Sequence, residues 1–235
     1  KTQKNKQIYE ANILGEGKVS LIVVPESVEE ISNIVRIADE DITPRGAGTS
    51  FTGACLPNNS VIIDMSKMRK IIEIDPTRKT ILVETGATVN DINNELSRYN
   101  LELPILPIFP GIQTIGGLIA LNTSGLRSIK YRGIKNWIDT LEVVNGQGLK
   151  TVLRADIGDF VGLEGTTGII TKVKIRATIK QKRTFSILKS LSLKDLITAS
   201  KKIKLDQEVS MVFFMSKELS ELSGLEKKYH LFIEY

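Results

Sequence analysis

One cysteine, one histidine and one tryptophan are all that 235 residues contain of these three types. The lone Cys55 excludes an intrachain disulfide and suits a reducing compartment. The lone His230 excludes a metal centre built from several histidines of one chain. Aromatic residues make up only 6%, and the densest basic run, Lys180-Gln181-Lys182-Arg183, holds none of them. A basic groove with interleaved aromatics for stacking single-stranded bases therefore has no sequence basis, and no nucleic-acid partner is expected. No apolar run approaches the length of a membrane span, so no integral membrane segment is expected. The setting these absences point to is cytoplasmic, with peripheral attachment at the inner membrane as the second option.

What remains is a globular composition. Hydrophobic residues are 41% and charged residues 25%, enough to bury a core in one domain or two small ones. The net charge of +5 comes from basic residues that mostly alternate with acids, which suits anionic small molecules.

The pattern is organised around Pro44-Arg45-Gly46-Ala47-Gly48-Thr49-Ser50-Phe51-Thr52-Gly53. Glycines there permit positive φ and a close backbone approach. Successive N–H groups of such a turn, helped by hydroxyls, form an anion site suited to a diphosphate. A tight surface turn is the ordinary alternative. Upstream, Leu21–Val24 reads as a strand stopped by Pro25. Ser27 and Glu30 form a capping box for a helix carrying Val28, Ile31, Ile34, Val35 and Ala38 on one face. Val61–Asp64 reads as a buried strand.

Further on, strands at 71–75 and 80–85 flank the hairpin turn Pro76–Lys79. Thr88 or Asn90 caps a helix with Val89, Ile92, Leu96 and Tyr99. A second glycine region, Pro107–Gly117, leads into a short helix from Gly116, whose first amides and Thr114 would suit phosphate or a flavin edge. Asn122-Thr123-Ser124-Gly125 ends it. A strand at 138–144 turns through Asn145–Gly148 into 151–153. The region Gly162–Ile170 then opens a half-buried strand with Val173, Ile175, Ala177 and Ile179 facing in. From Phe185 the reading is strand, helix (193–204), strand (209–214), helix (216–223) and strand (229–235), expected to be an incomplete domain.

Four stretches in this order carry a resemblance: Pro44–Ser50, Pro110–Gly117, Asn122–Gly125 with Tyr131, and Glu164–Ile170. With them the chain resembles the FAD-binding PCMH-type domain of the vanillyl-alcohol oxidase / para-cresol methylhydroxylase superfamily. Within it, the likeness is to FAD-linked 2-hydroxy acid oxidases and dehydrogenases, the branch that holds the FAD-linked chain of glycolate oxidase and D-lactate dehydrogenase. The resemblance is strong over about 18–180 and weak over 181–235. It implies an α+β fold of two subdomains (about 1–75 and 76–180) clasping FAD, followed by the start of an α/β cap, or substrate, domain at 181–235.

It also implies roles. Gly46, Ala47, Gly48, Thr49 and Ser50, with Arg45 and Gly53 beside them, would hold the FAD diphosphate. Pro110, Gly111, Thr114, Ile115, Gly116 and Gly117 would line the flavin and its ribityl-phosphate side. Asn122, Gly125 and Tyr131 would lie along the same groove, and Glu164, Gly165, Gly168, Ile169 and Ile170 at the adenosine end or ribityl chain. Some relatives bind FAD covalently through a histidine in the first loop; Thr49 and Ser50 stand in the matching region here, so attachment is expected to be non-covalent.

The chain departs from the family at Thr123-Ser124, where Ala-Gly is common, and at Arg132, where glycine is common. Family motifs with substrate-side histidines are absent, and no catalytic residue is assigned. Arg127, Lys130 and Arg132 could pair with a substrate carboxylate, and His230 reads as structural. The implied activity is FAD-dependent oxidation of a 2-hydroxy acid such as D-lactate or glycolate, with a partner subunit able to supply the missing half. The alternatives are a non-catalytic FAD-binding or electron-transfer subunit, or another flavoenzyme of the same fold.

Overall fold

The Ser27 side chain accepts from the Glu30 N–H and starts a helix at Val28, where the sequence signals it. In the computed structural model, which describes residues 6–203 and 206–235, that helix (α2, Val28–Ile37) follows a short helix α1 (Lys6–Glu10) and strand β1 (Lys18–Val23). Strands β2 (Ile42–Arg45) and β3 (Asn58–Asp64) complete a parallel sheet in the order β1-β3-β2. Val61, Ile62 and Ile63 are all buried, as the central strand of a sheet covered on both faces requires. On one face Val28 and Ile31 of α2 pack with Ile63, Met65 and Met68. On the other, Tyr9 of α1 packs with Val19, Ile22 and Ile62.

The second sheet is antiparallel. Its strands are β4 (Ile71–Asp75), β5 (Thr80–Glu84), β6 (Ile138–Asn145), β7 (Gly148–Leu153) and β8 (Ile169–Arg176), in the order β7-β6-β8-β5-β4. Val144 and Ile169 from its centre join the α2 cluster, so one helix serves both sheets. Between β5 and β6 run α3 (Val89–Ser97), held by a full Thr88–Asp91 capping box, and α4 (Ile115–Ala120). Val173, Ile175 and Ala177 point inward as expected, but Ile179 is 46% exposed. The strand breaks at Ala177, and Thr178–Ile179 pairs instead with Leu101–Glu102 in a separate ladder, so the inward alternation ends there.

These elements form the larger of two compact units, made of the residues up to Leu103, Phe109–Thr123 and Ile134–Ile179. The smaller contains Pro104–Ile108, Ser124–Gly133 and Lys180–Tyr235. Its strands β9 (Phe185–Ser190), β10 (Met211–Met215) and β11 (Tyr229–Glu234) form an antiparallel sheet in the order β9-β11-β10. Helix α5 (Leu193–Ile203) buries Leu196 against Leu231 and Ile233, and α6 (Lys217–Leu222) is capped by Ser216. Lys204, expected to close α5, lies outside the described residues. Arg127 grips Glu234 with two charge-assisted bonds of 2.7 and 3.0 Å, and Arg183 approaches the same carboxylate at 3.4 Å. Arg127 is thereby committed inside this unit. Arg132 sits at φ 61, ψ −151, a region natural to glycine, which gives the family's preference there a backbone cause. No helix among the described residues is long and apolar enough to cross a membrane.

Candidate functional site

The loop after β2 begins at the C-terminal edge of the parallel sheet. Among the described residues, the N–H groups of Ala47, Gly48, Thr49 and Ser50 donate to no protein acceptor. Four successive donors without acceptors thus sit in a part-exposed loop, an arrangement that can receive an anion. Gly48 has φ +71, and a Cβ built there would meet the Arg45 guanidinium at 2.2 Å. The missing side chain thus makes room for Arg45 as well as permitting the turn. A Cβ on Gly46 would meet Thr114 Oγ1 at 2.2 Å, so the loop and the start of α4 touch through bare backbone.

Two adjoining clefts open from this loop. The first, about 520 Å³ counted out to its mouth, is lined by Gly46–Ser50, Thr114, Gly117 and Glu164 together with Pro44, Ala54, Cys55, Gln113, Leu118, Ala120 and Leu121. The second, about 440 Å³, shares Pro44, Gly46, Thr114, Gly117, Ala120 and Glu164 and adds Arg45, Met65, Thr85, Gly116, Gly165, Gly168, Ile169 and Ile170. Both clefts combine bare glycine backbone with aliphatic side chains, and together they give room for a ligand larger than either one.

The helix start differs from its expected role. Ile115 N–H donates to Ala87 O at 2.8 Å, Gly116 N–H to Thr85 O at 2.9 Å and Gly117 N–H to Thr114 Oγ1 at 3.3 Å. These amides are spent inside the protein, unlike those of the loop.

Glu164, at φ +55, links the walls. Its Oε2 accepts from Thr52 Oγ1 at 2.9 Å, and Thr52 Oγ1 lies 2.7 Å from Ser50 Oγ. The chain of hydroxyls ties the first glycine loop to the fourth and leaves the carboxylate as an acceptor at the junction of the two clefts.

Arg45 turns beneath the loop: Nη2 donates to Ile8 O at 2.8 Å, and the guanidinium lies 5.1 Å from the Tyr9 ring centroid. Tyr9 donates to Asp64 Oδ2 at 2.5 Å. Burial, then that bond and the Asp64 charge, push the phenol up to about 12 despite Arg45's opposite pull. Tyr9 is therefore a fixed donor across the working pH range.

Of the sequence-predicted residues, Gly53, Pro110, Gly111, Ile115 and Asn122 belong to this unit without lining either cleft, and Gly125 and Tyr131 belong to the smaller unit. Ile115 is buried, and Asn122 (φ 49) packs its Cβ 3.1 Å from where a Cβ on Gly162 would stand. Sequence reasoning missed Ala120 and Leu121, although helical spacing from Gly117 puts positions three and four later on its face. Met65 and Thr85 had no such signal, since each precedes a break in a strand-to-strand connection. His230 is buried in the smaller unit with Nδ1 at 2.9 Å from Ser220 Oγ. Among the described residues no group of His, Cys, Asp and Glu is arranged to hold a metal ion.

A parallel sheet and an antiparallel sheet sharing one helix, with a glycine loop of acceptor-less amides beside two adjoining clefts, are the frame of a domain that binds a flavin dinucleotide. Residues 19–154 match the family model described as FAD binding domain, and the chain belongs to that family, with FAD as its cofactor. It is 33% identical to glycolate oxidase subunit GlcD of Bacillus subtilis over 73% of this chain and 40% of that protein. It is 30% identical to a D-lactate dehydrogenase of Archaeoglobus fulgidus over 66% of this chain and 38% of that one. A D-2-hydroxyglutarate dehydrogenase of Xanthomonas citri pv. viticola is 29% identical over 67% and 36%. The match thus spans only 36–40% of the length of these three relatives. The fold is that of a solved alkyldihydroxyacetonephosphate synthase, with TM-score 0.81 at 23% identity, covering 91% of this chain and 48% of that one.

Proposed function

We propose that this chain is the FAD-holding part of an oxidoreductase that oxidises a D-2-hydroxy acid. The observation that carries the cofactor side is the row of four acceptor-less N–H groups at Ala47–Ser50, opening into the groove. The substrate side is supported by relatives named for glycolate, D-lactate and D-2-hydroxyglutarate, which share a hydroxyl next to a carboxylate.

In this reading the amides of 47–50 hold the diphosphate, and Glu164 accepts from sugar or ribityl hydroxyls. Leu118, Leu121, Ile169 and Ile170 shed water from the groove. When bound, FAD supplies the two-electron acceptor. Attachment is non-covalent, since the loop has no histidine and the Cys55 thiol is turned to Gly48 O at 3.9 Å. The residues lining the clefts include no histidine, and Glu164 is their one carboxylate, already accepting from Thr52. The proton acceptor for the substrate hydroxyl is therefore assigned outside 1–180, in a longer substrate domain that begins at 181–235 or in a partner subunit. GlcD's own name as a subunit supports the second source. The single cysteine fits a cytoplasmic setting, at the inner membrane surface or away from it.

The test is anaerobic reduction of the bound flavin. Protein recovered from its natural source, with whatever accompanies it, should bleach on addition of D-lactate, glycolate or D-2-hydroxyglutarate and stay yellow with L-lactate. The 235-residue chain alone should bleach slowly or not at all. A native assembly that no 2-hydroxy acid reduces contradicts the proposal.

A further inference from the structure

We infer that the open edge of β7 is a self-association surface, at which two copies of this chain pair β7 with β7 antiparallel about a two-fold axis through Thr151. The pairing joins two five-stranded sheets into one and does not depend on which substrate the protein takes.

Strand β7 ends the order β7-β6-β8-β5-β4, so among the described residues one side of it has no strand neighbour. Its ladder with β6 starts at Asn145–Gly148, across the two-residue turn Gly146-Gln147. The closing pair of such a hairpin exchanges both backbone bonds, and bonded and unbonded pairs alternate from there. The next bonded pairs are Val143–Lys150 and Leu141–Val152, which turns the N–H groups of Leu149, Thr151 and Leu153 toward the open side. Among the described residues these three N–H groups have no acceptor outside the ladder.

Proteins ordinarily guard an edge with a charge, a proline or a bulge. The opposite edge, β4, has the acids Glu73 and Asp75 and a register irregularity between Ile71 and Glu73. Strand β7 has neither proline nor irregularity, and five of its six residues are exposed. Its one charge, Lys150, projects to the face opposite Leu149, Thr151 and Leu153, with Nζ 4.8 Å from the ring centroid of buried Phe160. Leu149 and Leu153, 53% and 61% exposed, stand at either end of the unguarded row.

The order of side chains selects a second copy as the occupant and fixes its register. With the axis at Thr151, Leu149 stands opposite Leu153 of the second copy, Lys150 opposite Val152, and Arg154 opposite Gly148, so no charge meets a charge. An axis at Lys150 sets two lysines face to face, and one at Val152 sets Lys150 against Arg154. Like charges directly opposite destabilise a strand pair, and apolar pairs stabilise it. The strand is therefore self-complementary in the register centred on Thr151, which is what a two-fold interface requires.

Sedimentation velocity of the flavin-loaded protein across a dilution series tests this, and should show a monomer–dimer equilibrium. Thr151→Pro removes an N–H that faces away from β6, so flavin absorbance should be unchanged while the dimer disappears. Leu149→Lys should weaken association roughly tenfold or more, because symmetry places the change in the interface twice. Cys55 is buried and is the only cysteine, so introduced thiols report the register. Under mild oxidation Thr151→Cys should give a disulfide-linked dimer and Lys150→Cys should not, since directly opposed residues lie about 5.5 Å apart and diagonal ones beyond disulfide reach. A protein that stays monomeric up to its solubility limit overturns the inference. A dimer that survives both Thr151→Pro and Leu149→Lys, or that gives no Thr151→Cys cross-link, overturns it equally. Should Thr151→Pro fail to fold, Leu149→Lys and the cross-link decide between the same outcomes.

Discussion

At the scale of single residues, Gly48 concentrates the account. Its φ of +71 and the guanidinium 2.2 Å from an imagined Cβ leave no room for a side chain. Gly48→Val should lower FAD affinity at least tenfold and cost about 1–3 kcal/mol of stability, through backbone strain and a displaced Arg45. Parallel FAD titration and thermal unfolding check both numbers. The glycine was legible in the sequence because a turn motif is local. The partner that fills its missing Cβ was not: Arg45 is fixed by Ile8, 37 residues away in the chain. Arg127 makes the same point. Its charge suggested a substrate carboxylate, but it grips Glu234, 107 residues on. Nothing in local pattern announces such a pairing.

At the scale of elements, caps and turns were readable because their chemistry spans four residues or fewer. Ser27, Thr88 and the 76–79 hairpin all stand where their signals lie. Helix α1 escaped notice because five residues are too few to show a helical period, and what forms it is Tyr9 packing on the sheet. In the smaller unit, Glu234 of β11 ties three segments together through Arg127, Arg183 and Ser210. Burial pushes its carboxyl up, but the Arg127 and Ser210 bonds and the two arginine charges outweigh it, and the group is held below the usual carboxylate range. A depressed folded-state value means the stabilisation is present above the ordinary carboxylate range and is lost as pH falls through the lower folded-state value. Glu234→Gln should therefore destabilise by about 3–5 kcal/mol near neutrality, where two buried arginines lose their partner. The gap from the parent should shrink in strongly acidic buffer. Urea unfolding of both proteins across acidic to neutral pH reads the difference; a gap independent of pH would contradict the ion-pair assignment.

At the scale of the whole molecule, order along the chain mattered more than any one motif. Three of the four glycine-rich stretches, each ambiguous by itself, fall within the residues 19–154 that match the family, and the clefts gather residues of the first, the second and the fourth, which lies beyond that segment. The third is divided: Asn122 stays with the larger unit while Gly125 and Tyr131 group with the smaller one. Sequence pattern could not reveal this, because the backbone crosses between units at Thr123–Ser124 without a change in composition. The central claim is that the larger unit holds FAD, one per chain, without a covalent bond. Acid precipitation of the purified, flavin-loaded chain tests it most directly. The account predicts a colourless pellet and a yellow supernatant containing one equivalent of intact FAD; colour that stays with the pellet, or a chain that takes up no FAD at all on titration, would contradict it.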